Sequence, residues 1–265
     1  MKKIILTIAT IAITTISAQA QLVRIYKGES LVATYTQSQV DRVVFSEEII
    51  GEPNGHEYVD LGLPSGLKWA TCNVGATSPE DYGDYFAWGE TEPYYTEGHA
   101  QDNPCSDWKT GKTGYDWASY KWCNGTYNSL TKYNTNSDLG TVDNKTELEP
   151  ADDAARQNWG GSWRMPTQSE FYELYEYCTW TWTTQNSVYG YKVTGSNGNW
   201  IFLPAAGYRG GTNLKYDGSY GYFWSSTPSP YDPSYASYLY LCSSGFSPSN
   251  YNDRCYGQSV RPVTE

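Results

Sequence analysis

Helix signals in this chain are confined to one short stretch, and the residues beyond it read as strands and turns. Pro166 is followed by Thr167-Gln168-Ser169-Glu170, a capping box in which the Thr and Glu side chains satisfy each other's orphan backbone N–H groups. Phe171, Leu174, Tyr175 and Cys178 then recur at i, i+3, i+4 and i+7, one apolar stripe aimed at a core. A second helix is expected over residues 150–159. It has Pro150 in its opening turn, Asp152 and Asp153 at the positive dipole end, and Gly160 as its stop. Glu170, Glu173 and Glu176 read as one cap and two solvated charges rather than a catalytic carboxylate pair. Downstream, the runs 191–194 and 200–203 flank Gly195-Ser196-Asn197-Gly198, a hairpin signal, and the runs 222–225, 236–241 and 259–263 continue the strand pattern. Upstream, 58–61 and 67–70 flank the turn Pro64-Ser65-Gly66. Helices in mid-chain with strands at both ends predict an α+β fold with an antiparallel sheet closed by its termini.

The leading end carries an export address. Lys2 and Lys3 precede an apolar run over 4–16, and Ala18-Gln19-Ala20 supplies a small-x-small cleavage site. Residues 1–20 therefore read as a signal peptide, with the mature chain starting near Gln21. No later segment reaches about 18 consecutive apolar residues, so no transmembrane segment is expected. Export places the six cysteines in an oxidising compartment. The favoured pairings are Cys105–Cys123, Cys242–Cys255 and Cys72–Cys178, among the 15 connectivities that six cysteines allow. No Cys-x-x-Cys occurs to suggest zinc or thioredoxin chemistry.

Residues 21–50 read as a short β unit. Val23 and Ile25 alternate with Arg24, a run over 31–35 follows the Lys27-Gly28-Glu29 turn, and a third run covers 40–45. Residues 51–55 carry turn chemistry and read as a linker to the main domain, 56–265. The stretch 73–146 shows little periodicity, but its Tyr and Trp rings predict packed loops rather than a tether.

Charge and composition narrow the function. Eighteen Lys and Arg against 29 Asp and Glu leave a net charge of −11, which argues against a nucleic-acid partner and disfavours anionic ligands. The two histidines, His56 and His99, have no accompanying motif that would make them bases or ligands. Asn134, Asn136 and Asp138 alternate like the opening of a calcium loop, but Gly140 falls one place late and Lys145 stands where a glutamate belongs. Glu52-Pro53-Asn54 matches a sugar-coordinating tripeptide, yet it lies in the linker. No metal, cofactor or catalytic residue is therefore expected.

The stretch 208–256 holds ten Tyr and ten Ser with Asn, Asp and Gly between them, the composition of antibody binding loops. In 236–242, Ser237, Leu239 and Leu241 point one way, while Tyr238, Tyr240 and Cys242 point the other. If the leucines face the core, the tyrosines stand exposed beside a loop over 247–256. The candidate ligand-binding residues are Tyr216, Tyr238, Tyr240, Tyr251, Asn252, Asp253 and Tyr256.

Six motifs occur in order. They are Tyr58-Val59-Asp60-Leu61-Gly62-Leu63-Pro64-Ser65-Gly66, Trp69-Ala70-Thr71-Cys72-Asn73-Val74-Gly75, and Trp163-Arg164-Met165-Pro166-Thr167. Leu203-Pro204-Ala205-Ala206-Gly207-Tyr208-Arg209, Trp224-Ser225-Ser226-Thr227 and Ser259-Val260-Arg261-Pro262-Val263 complete the set. Over residues 56–263 the chain resembles the Fibrobacter succinogenes major paralogous domain family, common in exported proteins of the Gram-negative Bacteroidota. The resemblance implies a C-type-lectin-like fold related to formylglycine-generating enzymes, with no general activity attached. It also implies that Tyr238, Tyr240, Tyr251, Asn252, Asp253 and Tyr256 match positions that some relatives of this fold diversify. Arg164-Met165-Pro166-Thr167 resembles part of the enzyme scaffold, but the closely spaced cysteine pair of that chemistry has no match, because Cys242 and Cys255 are thirteen residues apart. The resulting expectation is an exported, non-catalytic, adhesin-like protein in the periplasm, at the surface or secreted. It would present its Tyr/Ser/Asn-rich C-terminal surface to a glycan or protein ligand. A structural or assembly role in the envelope through residues 22–46 is the second reading, and an enzyme on a formylglycine-generating-like scaffold the third.

Overall fold

A computed structural model of the chain describes residues 22–27, 30–36, 50–51, 53–93 and 114–265, which fall in two units, Met1–Glu47 and Glu48–Glu265. In the first unit β1 (Leu22–Lys27) and β2 (Ser30–Thr36) form an antiparallel hairpin, with Leu22 opposite Thr36 and Lys27 opposite Ser30. The leader 1–20, the run 40–45, Glu52, His99 and Cys105 lie outside the described residues.

The second unit begins with β3 (Ile50–Gly51), β4 (Tyr58–Asp60) and β5 (Lys68–Ala70). Ile50 lies opposite Val59 and Gly51 opposite Tyr58, so this unit, which begins at Glu48, takes in the end of the segment read as the short β unit and the linker 51–55. Next come α1 (Ala154–Trp159), α2 (Gln168–Tyr177), β6 (Thr179–Gln185), β7 (Val188–Thr194) and β8 (Trp200–Pro204). The chain continues through β9 (Tyr208–Gly210), β10 (Asn213–Lys215), β11 (Tyr220–Pro228), β12 (Tyr235–Cys242), β13 (Gly245–Asp253) and β14 (Val263–Thr264). The sheets run β14-β5-β4-β3, β6-β7-β8, β9-β10 and β11-β12-β13, with every strand pair antiparallel. Among the described residues the architecture is α+β with two α-helices, and the strand over Val263–Thr264 closes the first sheet, Val263 lying opposite Trp69.

Local chemistry explains the helices. Both halves of the α2 capping box form, and Arg164 forks onto the same Glu170 carboxylate at 2.8 and 2.6 Å. Phe171 and Leu174 are fully buried against Leu61, Trp69, Val193, Leu203, Phe223, Leu239, Leu241 and Val263. Each such side chain contributes about 1.5–3 kcal/mol through removal of apolar surface from water. Tyr175, expected in the buried stripe, is half exposed and sets its ring edge-on to Phe246. The first helix starts later than expected. Pro150–Asp152 is a 3-10 turn, and Asp153 caps α1 by accepting from the Arg156 N–H, while its other oxygen accepts from Met165 N.

The irregular stretch is packed as the aromatic content predicts. Trp88 donates to the Ser225 carbonyl and Trp224 to that of Phe86, stitching loop to sheet, and Tyr85, Tyr115 and Tyr120 are buried. The final motif acts as a latch. Buried Arg261 donates to Asn73 Oδ1 and to the carbonyls of Ala70, Thr71 and Phe202. Cys72, Cys178 and Cys242 are present as thiols, and neither the 72–178 nor the 242–255 pair is formed in this structure. Cys178 packs beside the α2 core, Cys242 ends β12 beside Ser244, and Cys255 lies in a separate aromatic cluster with Tyr85 and Tyr120.

Candidate functional site

Alternation along two strands builds a tyrosine face. Phe223, Leu239 and Leu241 point into the core, which turns Tyr220, Tyr222 and Trp224 of β11 and Tyr238 and Tyr240 of β12 to the other side. Tyr222 lies opposite Tyr240 and Trp224 opposite Tyr238. Ring centroids stand 5.5 Å apart for Tyr222–Tyr238, 5.6 Å for Tyr222–Tyr240 and 5.8 Å for Tyr220–Tyr240. Tyr208 links this face to Tyr222, Tyr256 and Tyr216 at 5.0, 5.3 and 6.0 Å. Strand alternation put Tyr238 on the correct side but not at the correct depth. It is buried to 9% exposure beneath its neighbours and forms a floor rather than an exposed contact. Burial, aided by Tyr238 at Tyr222 and by Cys242 at Tyr240, holds these two phenols well above the ordinary tyrosine range; burial, aided by Tyr208 at Tyr238 and by Asp253 at Tyr256, pushes the other two up to about 12. These hydroxyls therefore stay protonated donors at neutral pH.

A second aromatic surface comes from the β6–β7 hairpin, whose Thr-Trp-Thr-Trp run places Trp180 and Trp182 on one side. Trp180 stacks on Phe246 at 4.1 Å. Trp182 meets Tyr191 edge-on at 5.2 Å and stacks nearly parallel to Tyr189 at 6.1 Å. Tyr191 is buried, whereas Tyr189 is half exposed, so the aromatic row runs from the core out to solvent.

These two surfaces border one cleft of about 430 Å³. Trp182 and Tyr189 line it from the hairpin, and Tyr220 and Tyr240 from the tyrosine face. Gly218 and Ser219, and Cys242, Ser243 and Ser244 at the β12–β13 turn, complete the lining. None of these residues is an Asp, Glu, Lys, Arg or His. Burial disfavours the Cys242 thiolate, but hydrogen bonds from Ser244 and Tyr240 and from the Ser244 and Gly245 N–H groups outweigh it and hold the thiol below its ordinary value.

Of the expected site residues, Tyr216, Tyr238, Tyr240 and Tyr256 belong to one ring cluster, and Tyr240 lines the cleft. Asp253 accepts a hydrogen bond from the Tyr256 hydroxyl, and Asn252 lies opposite Ala236. Tyr251 does not join them. It pairs with Ser237, accepts a hydrogen bond from the Gln168 amide at the start of α2, and sets its ring against Tyr231. The segment 247–256, read as a loop, is mostly strand β13. Pro248 and Ser249 stand opposite Leu239 alone, a bulge on an edge strand where a residue without an N–H is tolerated. Trp182, Tyr189, Ser219, Tyr220, Ser243 and Ser244 were not among the expected residues. The period-two Thr/Trp alternation over Thr179–Gln185 was the signal that would have found Trp182.

The residues weighed for calcium are engaged in their own loop. Buried Asn134 donates to the Thr141 carbonyl and accepts from Asn136 N, and Asn136 accepts from Asp138 N. Among the described residues no group of three or more His, Cys, Asp or Glu side chains is placed to hold a metal ion. His56 stacks on Trp159 at 3.9 Å, and burial lowers its pKa. Among the described residues no helix is long and apolar enough to cross a membrane.

The model of a family described as a domain of unknown function (DUF8237) matches residues 178–263, a stretch that includes every residue lining the cleft. No curated protein and no solved structure matches the chain.

Proposed function

We propose that this chain is an exported, non-catalytic binding protein that holds its ligand in the tyrosine-lined cleft. The observation that carries this reading is the convergence of two independent aromatic surfaces, Trp182 with Tyr189 and Tyr220 with Tyr240, on one concave site edged with serine hydroxyls. Tyr and Trp give large contact area at low entropy cost, and hydroxyls at the edge fix orientation. The lining offers no carboxylate, imidazole or amine for proton transfer, which favours binding over acid–base chemistry. Export, from the Lys2-to-Ala20 leader, and a C-type-lectin-like architecture, from the ordered motifs, belong to the same proposal. Several motif residues support the latter by acting as scaffold: Trp69, Trp163 and Trp224 are buried, and Arg261 ties the last motif to the second.

The test is binding of residues 21–265 to arrays of glycans and surface proteins, with and without chelator, beside Tyr220→Ala and Tyr240→Ala variants checked for an intact melting transition. A chelator-insensitive signal that falls at least tenfold in folded variants supports the proposal. A signal that survives both substitutions refutes it.

A further inference from the structure

We infer that the ligand of this cleft is the end of a neutral oligosaccharide, a pyranose ring set against the Trp182–Tyr189 pair. This rests on the binding reading above and names its ligand class. The first observation is geometric. The Trp182 and Tyr189 rings are within 10° of parallel with centroids 6.1 Å apart, and Tyr189 is 51% exposed, so this aromatic pair reaches solvent rather than being consumed in the core. A pyranose carries C–H bonds on its two faces, and their partial positive charge suits the negative face of an aromatic ring.

The second observation is chemical. The side chains lining the cleft bring the hydroxyls of Tyr189, Ser219, Tyr220, Tyr240, Ser243 and Ser244, together with the Trp182 indole N–H and the Cys242 thiol. Each hydroxyl can donate and accept, which is the capacity a polyol needs from its site. An anionic sugar finds no cation in the lining and meets a chain of net charge −11. A peptide is served poorly for a different reason: recognition of its main chain or termini uses a sheet edge, an amide nest or a charged partner, and the lining supplies ring faces and hydroxyls instead. The volume, about 430 Å³, falls in the small-ligand range of about 300–1,000 Å³.

The experiment titrates residues 21–265 with neutral oligosaccharides of glucose, xylose, mannose, galactose and N-acetylglucosamine, with oligogalacturonate as the acidic series and a random peptide mixture as the third arm. Tryptophan fluorescence reports binding, and peptide mapping after iodoacetamide reports shielding of Cys242, which lines the same cleft. At least one neutral series should saturate the protein and slow Cys242 alkylation at least fivefold. Oligogalacturonate should do neither. Tyr189→Ala, a truncation at a half-exposed position that leaves the core intact, should weaken that binding at least fivefold. Peptide binding that shields Cys242 while no neutral sugar does overturns the ligand class and leaves the binding reading standing. Equal binding of acidic and neutral sugars also overturns it. If no arm binds or shields Cys242, the ligand class falls, and the array test with the Tyr220→Ala and Tyr240→Ala variants decides the binding reading separately.

Discussion

Replacing Glu170 tests whether its capping box and ion pair hold α2 in place. Glu170 Oε2 accepts from Thr167 N at 2.7 Å and from Arg164 Nη1 at 2.8 Å, and Oε1 accepts from Arg164 Nη2 at 2.6 Å. The cap bond contributes about 1 kcal/mol. The fork is half buried, with side-chain exposures of 25% and 19%, so its charge-assisted bonds keep about 1–2 kcal/mol after solvent screening. Glu170→Ala should therefore cost about 2–3 kcal/mol in total. For a domain of this size that lowers the thermal midpoint by about 4–12 °C. Glu170→Gln keeps an acceptor for Thr167 N and loses the charge, so its loss should be about half as large. Burial raises the Glu170 pKa, but the hydrogen bonds from Arg164 and Thr167 outweigh it and leave the group below its ordinary value. A depressed carboxylate stabilises the fold above its unfolded pKa, near 4.3, and that contribution is lost as pH falls through the folded value. The gap between wild type and Glu170→Gln, tracked by circular dichroism melts, should close as the pH is lowered from neutral to about 3. Equal losses for Ala and Gln would refute the cap contribution, and a gap independent of pH would refute the ion pair.

Other parts of the structure carry three more expected outcomes. Arg261→Met removes the donor to three buried acceptors and one partly buried one and should cost about 3–5 kcal/mol in urea unfolding; a loss under about 1 kcal/mol would mean the latch is dispensable. Gly195→Ala places a methyl 1.9 Å from the Leu61 carbonyl oxygen, backbone against backbone, so the β7–β8 turn must shift at about 1–3 kcal/mol; an unchanged melting midpoint would contradict that contact. Because the Tyr238 and Tyr256 pKa values are raised to about 12, the stability of their neutral forms is present below pH 10 and lost as pH climbs toward 12. Ultraviolet titration should show a late-ionising group of phenols, and all tyrosines ionising together near pH 10 would contradict the packed cluster.

The features legible in the sequence were those decided locally. The α2 cap, its Phe171 and Leu174 face and the Gly195-to-Gly198 turn are set by neighbours a few residues away, and all three form as the residue pattern predicts. The side on which Tyr238 and Tyr240 stand was set by strand alternation. Their depth was not, because it depends on Tyr208 and Tyr222 arriving from other strands and covering Tyr238. β13 was hidden by Pro248 and its serines, which read as loop until the bulge and the edge position are known. Half of the cleft was missed for a similar reason. Trp182 and Tyr189 are distant in sequence from the tyrosine-rich tail, and only tertiary packing brings them to the same site.

The most direct test of that site compares two aromatic truncations against the strongest array ligand. Trp182→Ala removes a ring that lines the cleft, whereas Tyr231→Ala removes one that is 84% exposed and lies outside it. A loss of at least tenfold in affinity for the first, with less than twofold for the second, is the predicted result. Equal losses, or a loss confined to Tyr231→Ala, would place the ligand elsewhere on the molecule and contradict the account.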